Sequence, residues 1–256
     1  MHLKNAALTL ILASSAMAAD APYVGKWKLN ADKSDYASTT LTYTQLPGGE
    51  MQCTVDAQSY KFKMDGKDYP DPFGDIAAWK AIDANTWETT WKTNGKVIST
   101  DTVKLSSDGK TLTVESTGTK PNGDKMDDTT VFRRLSGGPG LAGQWKTEKV
   151  SSATPSLIEF VPGAGDALTF KMSDMELTCD GKFDGKEHSC TGPTMTPGWT
   201  FTYARNGASG VDLAIMKDGK PLYKYTYRAS ADGKTLTQTG GSIESREIVK
   251  MVYDRQ

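Results

Sequence analysis

Asp108-Gly109-Lys110-Thr111-Leu112-Thr113 occurs a second time as Asp232-Gly233-Lys234-Thr235-Leu236-Thr237, 124 positions further along the chain. An Asp-Gly pair followed by alternating apolar and polar residues is a hairpin turn running into a strand. Working outward, four more landmarks recur in the same order. Gly25-Lys26-Trp27 returns as Gly143-Gln144-Trp145, and Asp65-Gly66-Lys67 as Asp184-Gly185-Lys186. Asn94-Gly95-Lys96 matches Asp218-Gly219-Lys220, and Val131-Phe132-Arg133-Arg134 matches Val252-Tyr253-Asp254-Arg255. The chain is one unit of about 115 residues, written twice.

Between the turn signals the pattern has a period of two. Trp87, Thr89 and Trp91 fall on one face, with Glu88, Thr90 and Lys92 on the other. Val211, Leu213 and Ile215 alternate in the second repeat, as do Tyr223, Tyr225 and Tyr227. The stretch from Asp75 to Ala81 reads as a brief helix or as a strand; no long amphipathic helix follows the first residues. Tight turns at regular spacing predict all-β architecture, with eight to ten strands per repeat in an up-and-down antiparallel meander. A meander that long exposes two edges unless it closes, so two tandem barrels are expected. The expected layout is a signal peptide at 1–19, barrel one at 20–136, a Gly-rich linker at 137–142 and barrel two at 143–256.

The leader reading rests on Lys4, the apolar run Ala6 to Ala13 and the small residues Ala16-Met17-Ala18. It predicts a periplasmic or secreted protein without a stable membrane anchor. With 30 basic against 31 acidic residues, interspersed, the chain lacks the electrostatic footprint of a nucleic-acid binder. Cys179 and Cys190 flank two Asp-Gly-Lys turn signals and are expected to form a disulfide in an oxidising compartment. Cys53 has no evident partner and reads as a buried thiol.

Each repeat starts with Gly-x-Trp and ends with an arginine one or two residues after an aromatic. This resembles the calycin superfamily: lipocalins, fatty-acid-binding proteins and bacterial lipocalin-like relatives. The resemblance spans nearly the whole mature chain in pattern and about a dozen residues in identity. It implies that a first-strand tryptophan closes one barrel end against a last-strand arginine, pairing Trp27 with Arg134 and Trp145 with Arg255. The helix-turn-helix lid of fatty-acid-binding proteins and the other lipocalin motifs are missing from the sequence.

Catalytic signatures are sparse. After the leader, His188 is the one histidine, set in a polar turn, and no nucleophile elbow, phosphate loop or zinc-protease motif occurs. Met172, Met175, Cys179, His188, Cys190 and Met195 form a soft-ligand cluster suited to Cu(I). A disulfide would consume its two thiols, so no metal and no cofactor are assigned. Asp68, Asp71 and Asp75 lie in a Pro-rich stretch that reads as a solvated barrel-mouth loop.

The remaining resource is the barrel interior. Trp79, Trp87 and Trp91 of the first repeat correspond to Tyr203, Val211 and Ile215 of the second. Trp79, Trp87, Trp91 and Tyr203 are therefore the candidate ligand-binding residues. The expected function is binding of a small, largely apolar molecule inside a barrel, and no residue is assigned a catalytic role. Two alternatives stay open. One is a non-hydrolytic enzyme of hydratase or isomerase type, marked by acidic or tyrosyl groups such as Tyr60, Asp68 or Tyr203 converging in one cavity. The other is a filled-barrel interaction module of the cell envelope.

Overall fold

The computed structural model describes residues 21–256 apart from 36–39, 56 and 247, so the leader lies outside the described residues. In the first repeat the strands are β1 (Gly25–Asp35), β2 (Thr40–Gln45), β3 (Met51–Val55), β4 (Gln58–Phe62) and β5 (Asp65–Pro70). They continue as β6 (Ile76–Ala81), β7 (Thr86–Thr93), β8 (Lys96–Leu105), β9 (Thr111–Thr119) and β10 (Lys125–Ser136). In the second repeat they are β11 (Gly143–Ser152), β12 (Leu157–Pro162), β13 (Ala167–Met172), β14 (Leu177–Lys182) and β15 (His188–Thr191). The chain ends with β16 (Trp199–Arg205), β17 (Gly210–Lys217), β18 (Lys220–Ala229), β19 (Thr235–Ser242) and β20 (Val249–Arg255). The 75–81 stretch is thus a strand. No helix among the described residues is long and apolar enough to cross a membrane.

The strands form two antiparallel ten-stranded sheets, and the turns behave as the sequence dictates. Asn94 and Gly95 both have positive φ, 49° and 77°, which makes the type I′ turn whose twist matches the β7–β8 pair. The first sheet runs β4-β3-β2-β11-β10-β9-β8-β7-β6-β5, a barrel closed but for a seam between β4 and β5. The second is a closed barrel, β12 to β20 in order, with β1 inserted between β20 and β12.

The barrels are therefore not the repeats. β11 pairs with β10 and β2 in the first barrel, while β1 pairs with β12 and β20 in the second. Each repeat has given its opening strand to the other barrel. This corrects the expected boundaries: residues 137–142, read as an interdomain linker, close the β10–β11 hairpin, with Ser136 opposite Gln144. The exchange gains the short β10–β11 hairpin and gives up two equally short connections, β1 to β2 and β11 to β12, for pairings between residues 100 or more positions apart, so it runs against loop-closure entropy.

The tryptophan–arginine pairing is reversed as a consequence. Arg134 lies over Trp145, 4.0 Å from the ring centroid, and Arg255 lies over Trp27 at 4.1 Å. The expected partners were the other way round. The closure chemistry is the same in both barrels. Arg134 donates to the carbonyls of Gly109, Gly138, Ala142 and Gly140, and Arg255 to those of Gly233, Val24 and Pro22. The indole N–H of Trp145 donates to Leu141 O, and that of Trp27 to Tyr23 O. Both indoles are fully buried. Burying roughly 150–250 Å² of ring at about 25 cal/mol per Å² gives about 4–6 kcal/mol for each.

The glycine of each Gly-x-Trp has a steric cause. Gly25 and Gly143 have φ of +125° and +153°, and a Cβ on either would fall 2.8 or 2.7 Å from the Nη1 of Arg255 or Arg134. Only glycine leaves room for the guanidinium.

Candidate ligand cavities

The two interiors differ as the aromatic substitution foretells. In the first barrel Phe62 stacks on Trp79 at 4.6 Å, and Tyr43 packs edge-on to Trp79 at 5.7 Å. These rings leave a cavity of about 270 Å³. In the second barrel Ile215 pairs with Phe201 where Trp91 pairs with Ala77 in the first. There the lumen holds about 550 Å³. The larger cavity falls within the ~300–1,000 Å³ range of small-molecule sites, and the smaller one just below it.

Of the four candidate ligand residues, Trp79 and Trp91 line the smaller cavity. Trp87 and Tyr203 are buried and border neither one. Tyr203 instead donates its hydroxyl to Cys179 O at 2.9 Å. The larger cavity is walled mostly by residues the sequence did not single out as a site, among them Leu213, Tyr225, Tyr227, Gln238, Met251 and Tyr253. The signal was present in the Tyr223-Tyr225-Tyr227 alternation, but strand parity does not say which face is inside.

Polar groups are few in the larger lumen. Gln238 is buried, and its Oε1 accepts from the Tyr253 hydroxyl at 2.9 Å. Burial pushes the Tyr227 hydroxyl well above its ordinary pKa, so it stays protonated at neutral pH. No Lys, Arg or His lines this cavity among the described residues.

The Pro-rich loop forms the wall between the two lumens. Asp71 Oδ1 accepts the backbone N–H groups of Phe73 (2.9 Å) and Asp75 (2.8 Å), which fixes the turn. Phe73 borders both cavities and stacks on Trp199 at 6.2 Å. Its carbonyl accepts from Trp199 Nε1 and Thr196 Oγ1, both at 3.1 Å. A loop of the first barrel thus covers the mouth of the second.

The groups named for an enzyme do not converge. Tyr60 lines the smaller cavity, Tyr203 belongs to the other barrel, and Asp68 is exposed and paired with Lys92 at 2.6 Å. Burial pushes the Cys53 thiol up to about 12, so it is no nucleophile at neutral pH. Cys179 and Cys190 are joined as a disulfide across β14 and β15. Met172 and Met195 line the larger cavity beside it as apolar wall. His188 Nε2 lies 3.0 Å from Asp184 Oδ1 in its turn. No family model, no curated protein and no solved structure matches this chain.

Proposed function

We propose that the chain is an exported, lipocalin-like binding protein that holds a small, apolar, uncharged molecule in the lumen of its second barrel. The observation that carries the reading is the cavity of about 550 Å³, walled mostly by aliphatic and aromatic side chains, with Asp75, whose Oδ1 accepts from Thr93 Oγ1, at its border. Burial of ligand surface at about 25 cal/mol per Å² supplies the affinity. A lumen without basic side chains disfavours a carboxylate-bearing ligand. Gln238 has its carbonyl engaged by Tyr253, so its NH₂ is a buried donor that can meet a ligand oxygen. The lipocalin-like assignment is supported by the two Gly-x-Trp and arginine closures. Export is supported by the leader pattern and by a disulfide that needs an oxidising compartment.

The test is titration with N-phenyl-1-naphthylamine, a neutral apolar fluorophore that brightens on leaving water. Wild type should give a saturable rise. Ile215→Trp installs the indole the first barrel carries at the equivalent position, and should weaken binding at least ~10-fold with unchanged far-ultraviolet circular dichroism. Undiminished binding by a folded Ile215→Trp protein would remove the second lumen as the site.

A further inference from the structure

The smaller lumen has a chemistry of its own. Tyr43, Tyr60, Phe73, Trp79, Trp91 and Phe132 present six aromatic rings to about 270 Å³. Two carboxylates, Asp71 and Asp101, open into the same space. Asp101 Oδ2 accepts from Trp91 Nε1 at 2.8 Å, and Asp71 Oδ1 is held by the backbone of its own turn. Among the described residues no Lys, Arg or His lines this cavity, and neither carboxylate belongs to an ion pair.

We propose that the first lumen binds a small organic cation, an ammonium carrying apolar substituents, between these aromatic faces and the carboxylates of Asp71 and Asp101.

Aromatic faces carry the negative end of a quadrupole, and a desolvated cation between several of them is attracted without any hydrogen bond. A carboxylate taken out of water without a counter-charge is unfavourable, so a ligand cation removes a penalty that the empty site bears. Burial raises the pKa of both groups, opposed by hydrogen bonds from Ser116 and Trp91 at Asp101 and from backbone N–H groups at Asp71, where the neighbouring Asp75 charge raises it further. The Cys53 thiol and the Tyr60 hydroxyl are held protonated by burial, which leaves the two carboxylates to carry negative charge opposite a cation at this lumen. The volume admits a choline-sized molecule and excludes a long-chain one. This site is independent of the apolar ligand assigned to the second barrel.

Isothermal titration of the full chain with choline and with 3,3-dimethyl-1-butanol, its neutral carbon isostere, tests the proposal. Choline should bind at least ~10-fold more tightly than the isostere. Asp101→Asn keeps an acceptor for Trp91 and should lose most of that preference while melting no lower than wild type. Asp71→Asn gives the same comparison if the first variant does not fold. Equal binding of choline and isostere, no binding of either, or a preference that survives both substitutions overturns it.

Discussion

Arg255 lies over Trp27, 4.1 Å from the ring centroid, although the two stand at opposite ends of the described chain. The contact exists because β1 closes the second barrel, not the first. Removing residues 21–35 should therefore strip amide-exchange protection from β12 to β20 and leave β2 to β11 protected. Loss confined to residues 40–152 contradicts the strand exchange. Arg255→Ala removes a ring contact and three carbonyl partners from a partly exposed group, at an expected cost of about 1–3 kcal/mol in urea unfolding.

The disulfide sits at one of the two thinnest seams of the second barrel. β14 and β15 share only the register pairs Thr178–Thr191 and Cys179–Cys190, as β15 and β16 share only His188–Phe201 and Ser189–Thr200. The equivalent seam of the first barrel, between β4 and β5, is where that sheet ends. Tyr60 there occupies the place of Cys179, since it stands opposite Cys53 as Cys179 stands opposite Phe170. Cys179→Ala with Cys190→Ala should cost about 2–3 kcal/mol, the loop-closure value for a separation of 11 residues. Exchange should rise along β14 and β15 and not along β4 and β5.

Lys120 and Asp174 make a buried ion pair between the barrels, Nζ to Oδ2 3.0 Å, with 7% and 5% side-chain exposure. Lys120 Nζ also donates to Thr154 O at 2.6 Å, in the segment that carries the chain from β11 to β12. Lys120→Met leaves Asp174 charged and unpaired, and should cost about 3–5 kcal/mol. Adding Asp174→Leu should restore most of that loss in the double variant. A double variant no more stable than the single would show that the pair acts through Thr154 alone.

Asp254 ties β20 to β1 from outside, and hydrogen bonds from Asn30 and Lys33 hold its carboxyl below the ordinary range. A lowered folded pKa gives stability present above the unfolded value, near pH ~3.9, and lost as pH falls through the folded value. Lys33 and Asp254 are half exposed, so solvent screening keeps the contribution under about 1 kcal/mol. Asp254→Asn should flatten the acid limb of the stability curve by that amount and leave neutral-pH cooperativity intact.

The turns and the strand alternation were legible because they are local: Asn94-Gly95 dictates its backbone, and Trp87-Thr89-Trp91 its face. The pairing of Trp27 with Arg255 was not legible, because a duplicated sequence is equally consistent with strands kept or exchanged. The Gly-rich residues that close the β10–β11 hairpin read as a linker, which hid the exchange. The site was half legible. Replacement of Trp91 by Ile215 correctly marks unequal lumens, yet attention falls on the indoles that fill space rather than the smaller residues that leave it. Asp101 falls in the same period-two series as Val97, Ser99 and Val103 in the sequence, yet it was not singled out as a site residue, because parity alone does not say which face is inside.

Isotope-edited NOE spectroscopy of the methyl-labelled protein with bound N-phenyl-1-naphthylamine tests the second-lumen assignment most directly. The account predicts cross-peaks from the ligand's aromatic protons to the methyls of Ile158, Leu213, Ile215 and Met251, which border the larger cavity. Cross-peaks confined to Val55, Val103 and Val114, which border the smaller one, would contradict it, as would none to either set.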